Sequence, residues 1–308
     1  MTLPRLLRRE FPLPEKLFSH QQAAYTELRR VACGFFGQAW QPLPVRPRSN
    51  LLITGPTGLG KTELVRTLTA ELDLPMLELV FTDWLPMGTS NRGSIHTWPM
   101  ILNFIEQNER ALIFIDEVDK AIGSGDWSIY IRLELFSLLD HKIPENIEIE
   151  DVDDEDKDSR RKRIASAQQK LERSFLLVGA GAFQGLCESR SAGEIGFQSV
   201  ASVGELALRE LAGVLPRELT NRFRSKLINL PPLRHECYLE MLTKVARRMP
   251  PELAKAFVTI GRATVGEAVR NQQGVRWLEE ITLDAMIESG LHTQTKPREP
   301  VPELDCAA

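Results

Sequence analysis

The sequence is poor in the features that mark several protein classes. Four cysteines (Cys33, Cys187, Cys237, Cys306) lie far apart in 308 residues. They form no Cys-x-x-Cys, and no histidine stands at zinc-ligand spacing, which excludes a zinc-cluster or disulfide-stapled scaffold. The thiols read as small, inert groups of a reducing compartment. No apolar run approaches the ~20 residues of a membrane helix. The basic start MTLPRLLRRE leads into no apolar stretch, so no secretory signal and a cytoplasmic location are expected. Neither sign of charge dominates: 38 Lys and Arg face 42 Asp and Glu, a net −4. A global basic field of the kind that holds nucleic acid is therefore missing. The imbalance is local, with eight basic and three acidic residues in positions 1–48.

What is present is an ordinary globular composition, 43% apolar and 26% charged, long enough for one large and one small domain. Leu17, Ala24, Leu28 and Val31 recur at helical spacing within 15–40. Short apolar runs at 50–54, 76–81, 111–115 and 175–178 read as strands. Helical patterns at 63–72, 99–108 and 128–139 (Ile131, Leu135, Leu138) alternate with them. That alternation predicts an α/β fold with a parallel sheet. From about residue 230 only helices are expected, at 234–247, 251–260 and 274–289. The predicted organisation is an N-terminal segment and linker (1–48), a large α/β domain (49–230), a small helical domain (231–292) and a Pro-bearing disordered tail (293–308). The 33 residues between Asp140 and Ser174 break the pattern. Positions 145–158 hold nine acidic residues and one Lys, and Arg160, Arg161, Lys162 and Arg163 follow. This stretch reads as a solvated, charged insertion.

Two motifs carry chemistry. Gly55-Pro56-Thr57-Gly58-Leu59-Gly60-Lys61-Thr62 follows the strand LLIT and opens a helix, the setting of a phosphate-binding loop. Its glycines let successive N–H groups face phosphate oxygens, and the helix N-terminus adds partial positive charge. Lys61 is expected to reach the β and γ phosphates of ATP, and the Thr62 hydroxyl to ligate Mg²⁺. The second motif is the apolar run ending in Asp116-Glu117. Two carboxylates emerge at the C-terminal end of a strand, where α/β proteins hold ligands. Asp116 suits Mg²⁺, and Glu117 suits polarisation of an attacking water.

With these motifs the chain resembles the AAA+ ATPases, in particular the branch of ClpX and HslU, over roughly residues 15–290. That resemblance implies a P-loop NTPase sheet with a small C-terminal helical lid. Leu17-Phe18-Ser19-His20-Gln21-Gln22-Ala23 looks like the segment that lines the adenine pocket, with Phe18 the candidate contact and His20 in place of the usual Gly. Phe175–Phe183 is similar to the sensor 1 strand, but lacks a side-chain sensor. Glu218-Leu219-Thr220-Asn221-Arg222-Phe223 resembles the box that supplies the arginine finger. Arg222 is the chosen finger, with Arg217 and Arg224 as competitors. Arg276 falls near the sensor 2 arginine, with a structural role as the alternative. Trp84-Leu85-Pro86-Met87-Gly88 stands where relatives carry a pore loop that grips polypeptide. Met87-Gly88 is the candidate grip, against an ordinary loop with Trp84 in the core. Arg160–Arg163 stand where ClpX has further pore loops. Ile195-Gly196-Phe197 matches the tripeptide with which ClpX docks its peptidase.

The resemblance implies a homo-oligomeric, hexameric ring that hydrolyses ATP and remodels a protein client or adaptor. A HORMA-domain signalling protein in antiphage defence fits the compact size. A ClpX-like unfoldase feeding a peptidase is the second reading. The third, a nucleic-acid-directed ATPase, rests on the basic N-terminal segment and Arg160–Arg163 alone.

Overall fold

The computed structural model describes residues 16–87, 96–122, 126–147, 157–183, 208–211, 213–224 and 226–290. Five parallel strands, β1 (Leu51–Thr54), β2 (Met76–Val80), β3 (Ala111–Asp116), β4 (Phe175–Gly181) and β5 (Ile228–Asn229), form one sheet in the order β2-β3-β4-β1-β5. The register places Ile53 beside Ala180 and Leu112 beside Leu176. β1 and β4 are buried along their whole length, and β3 up to Asp116. Strands covered on both faces read as unbroken apolar runs, which is why these three were legible. β2, at one edge, is mostly half-buried.

The helices of this unit are α1 (Ser19–Phe36), α2 (Lys61–Leu72), α3 (Thr97–Gln107), α4 (Asp126–Leu139) and α5 (Lys157–Ser174). Each buries a stripe at helical spacing: Tyr25, Leu28 and Ala32 on α1, Leu64, Val65 and Leu68 on α2, and Ile131, Leu135 and Leu138 on α4. The charged insertion is not structureless. Within it α5 turns Ile164, Ala167 and Leu171 into the core and pairs Arg163 with Glu106 of α3 through two short bonds (2.5 and 2.8 Å).

The chain divides into two compact units, Met1–Pro232 and Leu233–Ala308. The second holds α6 (His235–Ala246), α7 (Pro251–Asn271) and α8 (Arg276–Glu288). Helix α7 runs eleven residues past the expected stop at 260, through Gly261. A Cβ there would stand 2.3 Å from Leu242 Cδ1 and 3.2 Å from Ile281 Cδ1, so the glycine serves close helix packing. Tyr238 ties the unit together, donating to Ala268 O (3.1 Å) and accepting from Gly274 N (3.1 Å). Among the described residues no helix is long and apolar enough to cross a membrane.

Candidate functional site

The loop 55–60 leaves the C-terminal end of β1 and enters α2, whose first two residues are Lys61 and Thr62. Two glycines are required by contacts as well as by dihedral angle. Gly55 (φ 149°) passes the exit of β5, where a Cβ would stand 2.5 Å from Leu230 O. Gly60 (φ 81°) faces α1, where a Cβ would stand 2.6 Å from Gln21 Nε2. Gln21 is buried at 4% exposure. Its amide nitrogen donates to Leu59 O (3.0 Å), and its amide oxygen accepts from Phe18 N (3.1 Å). The segment 17–23 thus reaches the phosphate loop through Gln21, while Phe18 stands one residue before α1 with its ring stacked 6.0 Å from that of His20.

Lys61 Nζ donates to Gly55 O (2.8 Å) and Pro56 O (3.0 Å), so the ammonium lies along the loop between Pro56, Thr57, Gly58 and Leu59 and the helix. Thr62 Oγ1 donates to Asp116 Oδ2 at 3.0 Å. The sheet therefore brings the two motifs together at one end. That spacing fits two adjacent corners of an octahedral Mg²⁺, since oxygens at ~2.0–2.1 Å from the ion stand about 3 Å apart. Among the described residues no group of three or more His, Cys, Asp or Glu is placed to hold a metal ion. A two-ligand site shared with substrate phosphates is the Mg²⁺ pattern.

Asp116 also holds its neighbour. Its Oδ1 accepts from Glu117 N (2.8 Å), and Glu117 has φ 58°, a left-handed conformation uncommon for a residue with a side chain. Glu117 Oε2 accepts from Thr82 Oγ1 (3.1 Å), in the turn after β2. Because β2 lies on the far side of β3 from β1, the carboxylate leans away from the phosphate loop.

The loop after β2 is fixed at its base. Trp84 is buried, and its indole donates to Glu134 Oε2 of α4 (2.8 Å), while Met87 N donates to Glu134 Oε1 (2.6 Å). Burial pushes the Glu134 carboxyl above its usual range, against these two donors. Met87 packs against the core. Gly88 and 91–93 lie outside the described residues, as do Ile195, Gly196 and Phe197, Cys187, Cys306 and the tail.

Arg222 stands at the other end of β1. Asn50, just before the strand, donates through Nδ2 to Arg222 O (3.0 Å) and Leu139 O (2.7 Å). At ~3.3 Å per residue, Asn50 and Gly55 are about 16 Å apart. Arg222 and the phosphate loop of the same chain are thus separated by the length of the strand. Arg222 pairs with Asp140 through both carboxylate oxygens (2.8 and 2.9 Å). Beside it lies a polar depression of about 280 Å³ whose lining includes Arg46, Arg48, Ser49, Asn50 and His141. Burial, with Arg46 nearby, pushes the His141 imidazole down to about 3, so it stays neutral. Of the competing arginines, Arg224 donates to Arg48 O (2.9 Å), and Arg217 is exposed. Arg276 belongs to the second unit, where it opens α8 with its side chain exposed. In the sensor 1 run a Cβ at Gly181 would stand 2.6 Å from the Phe183 ring, and one at Gly179 would stand 3.1 Å from the Phe223 ring, so both positions are crowded.

Sequence reasoning did not assign Gln21, Thr82, Glu134 or Asp140. Gln21 lay inside the quoted adenine-pocket segment. The others act through contacts 35 to 82 residues away, which spacing does not show.

Residues 51–146 match the model of the ATPase family associated with various cellular activities (AAA). The chain carries an AAA ATPase domain. An AAA domain binds ATP and hydrolyses it, and the glycine-rich loop 55–62 and the Asp116–Glu117 pair both lie within the matched residues. The chain is 25% identical to the ATP-dependent Clp protease ATP-binding subunit ClpX 3 of Methylococcus capsulatus over 83% of its length and 67% of that protein's. It is 32% identical to the ATP-binding subunit ClpX of Porphyromonas gingivalis, over 26% of this chain and 20% of that protein. A Rhodococcus erythropolis ATP-dependent protease ATP-binding subunit-like protein is 42% identical over 20% of this chain and 16% of its own length. The AAA match thus covers the sheet as far as β3 and all of α4, and the long, weak similarity to ClpX extends well beyond the AAA match.

Proposed function

We propose that this AAA ATPase works as a homo-oligomeric ring, of the hexameric kind, that uses ATP hydrolysis to pull on and remodel a protein partner. The observation that carries the reading is the position of Arg222, at the end of β1 opposite the phosphate loop of its own chain. A guanidinium so placed serves a nucleotide only on a neighbouring copy, which makes hydrolysis conditional on assembly. The similarity to ClpX proteins supports a protein as the object of the work.

In this reading Lys61 exchanges the carbonyls of Gly55 and Pro56 for the β and γ phosphates. Backbone N–H groups within 57–62 take the remaining phosphate oxygens. Thr62 and Asp116 would hold Mg²⁺, which when bound would supply charge neutralisation on those oxygens. Glu117 swings from Thr82 to polarise the attacking water, and Arg222 of the adjacent copy stabilises charge on the γ phosphate. Phe18 contributes to the base pocket, and Arg276 of the helical unit is the candidate sensor 2 arginine. A cytoplasmic location goes with this role. The reading of the client as a HORMA-domain signalling protein is supported by the compact architecture alone.

The named ClpX relatives favour a second reading, in which the ring feeds a peptidase through Ile195, Gly196 and Phe197. Phe197→Ala then abolishes coupled proteolysis while ATP turnover persists. The nucleic-acid reading stays a third proposal; of the basic residues behind it, Arg29, Arg30, Arg46 and Arg163 are each paired with a glutamate of the same chain.

The test is Glu117→Gln. In ATP the variant should bind nucleotide, turn over at under about 1% of the wild-type rate, migrate as a ring-sized species and retain its protein partner on affinity capture. Wild-type turnover by Glu117→Gln, or a species that stays monomeric and hydrolyses ATP fully, overturns the reading.

A further inference from the structure

We infer that Asp140 is a positioning residue for the Arg222 guanidinium, holding it in the orientation that completes a neighbouring copy's nucleotide site. The inference rests on the assignment of Arg222 as a group that acts across the subunit boundary.

The side chain of Arg222 is held from three directions. Its Nε and one terminal nitrogen donate to the two oxygens of Asp140 at 2.8 and 2.9 Å. The other terminal nitrogen donates to Glu218 O at 2.5 Å. The guanidinium carbon lies 4.5 Å from the centroid of the Phe136 ring, which fixes the plane. A guanidinium has five N–H groups. With three engaged, two remain, one on each terminal nitrogen. The side chain is 24% exposed. Free N–H groups on both terminal nitrogens are what an arginine offers to a phosphate.

Asp140 is itself pinned. It follows the last residue of α4, and its N–H donates to Phe136 O (2.9 Å). Asn50 joins the preceding carbonyl, Leu139 O, to the backbone of Arg222, and accepts through its own carbonyl from Arg224 N (2.9 Å). The carboxylate and the arginine it orients are thus referred to one residue at the start of β1. Because α4 leads from the Asp116–Glu117 end of β3 to Asp140, one helix joins the hydrolytic end of a chain to the arginine it lends.

Four variants of the whole chain test this. An exposed ion pair contributes little to stability, so Asp140→Asn should shift the melting temperature by no more than about 2 °C and leave ring assembly intact. Its kcat should fall about 10- to 100-fold, with the KM for ATP unchanged within twofold, because only the alignment of a group that acts in the transition state is lost. Asp140→Glu, which keeps the carboxylate, should recover part of the loss. Mixed rings supply the readout that a merely structural role would not move. Lys61→Ala subunits lack a working nucleotide site but lend an intact arginine. Mixed with Asp140→Asn subunits, they should raise turnover above that of either variant alone. A parallel mixture of Arg222→Ala with Lys61→Ala tests the underlying assignment. No gain in that parallel mixture overturns the action of Arg222 across the boundary, and the role of Asp140 with it. A gain there, combined with Asp140→Asn that is as fast as or faster than wild type, or slow and not rescued by mixing, overturns the role of Asp140 alone.

Discussion

Glu117 occupies a left-handed backbone conformation, held by the carboxylate of Asp116 and restrained by the hydroxyl of Thr82. The Thr82 bond draws the carboxylate toward β2, away from the loop 55–60. Thr82→Val keeps the shape and removes the donor. It should raise basal ATP turnover severalfold, the equivalent of about 1 kcal/mol, with ATP affinity unchanged. Steady-state kinetics of the variant without client check this, and a loss of turnover contradicts it. The residues that carry local motifs were legible in the sequence, because Gly55–Thr62 and Asp116–Glu117 announce themselves by spacing. Thr82 was not, because a threonine after a strand acquires meaning only when the chain returns 35 residues later.

At the scale of the element, the misreadings have physical causes. Helix α5 sits in a stretch dominated by charge, and only Ile164, Ala167 and Leu171 reveal its buried stripe. Three apolar positions at spacings of three and four suffice for a helix that docks on a preformed core, yet average composition conceals them. Leu171 is fully buried, so Leu171→Ala should cost roughly 2–5 kcal/mol in denaturant melts. Helix α7 was cut short at its glycine. Gly261 lowers intrinsic helix propensity, and packing against Leu242 and Ile281 overrides that preference. Gly261→Val should therefore destabilise the second unit by about 1–3 kcal/mol despite its better propensity, as read by thermal unfolding. β5, two residues long, carries too little pattern to be seen in sequence. It exists because Leu230 N bonds back to Thr54 O.

At the scale of the molecule, the length of one strand separates the loop 55–60 from Arg222, the arginine proposed to act on a neighbour. The surface around that arginine should then be the face that meets the next copy. Leu43 and Val45, 58% and 74% exposed, directly precede Arg46 and Arg48 of the depression beside Arg222. Val45→Asp should weaken ATP-dependent self-association at least about tenfold, from the cost of placing a charge in a contact, and reduce turnover at low protein concentration only. Sedimentation at several concentrations reads both, and undisturbed association would remove this face from the interface. The order of elements, strands alternating with helices and then helices alone, was legible because it is a coarse signal. The placement of Asp140, 82 residues from Arg222, is set only when β1 is inserted between β4 and β5.

The carboxamide of Gln21 closes two structures at once, the first turn of α1 and the curl of main chain around Leu59 and Gly60. Order in one is therefore order in the other. Nucleotide bound beneath the loop should slow protease cleavage near residues 16–21. Conversely, fraying that turn by mild heating should loosen the grip on ATP well before the sheet melts, so the amino-terminal helix serves as a gauge of occupancy.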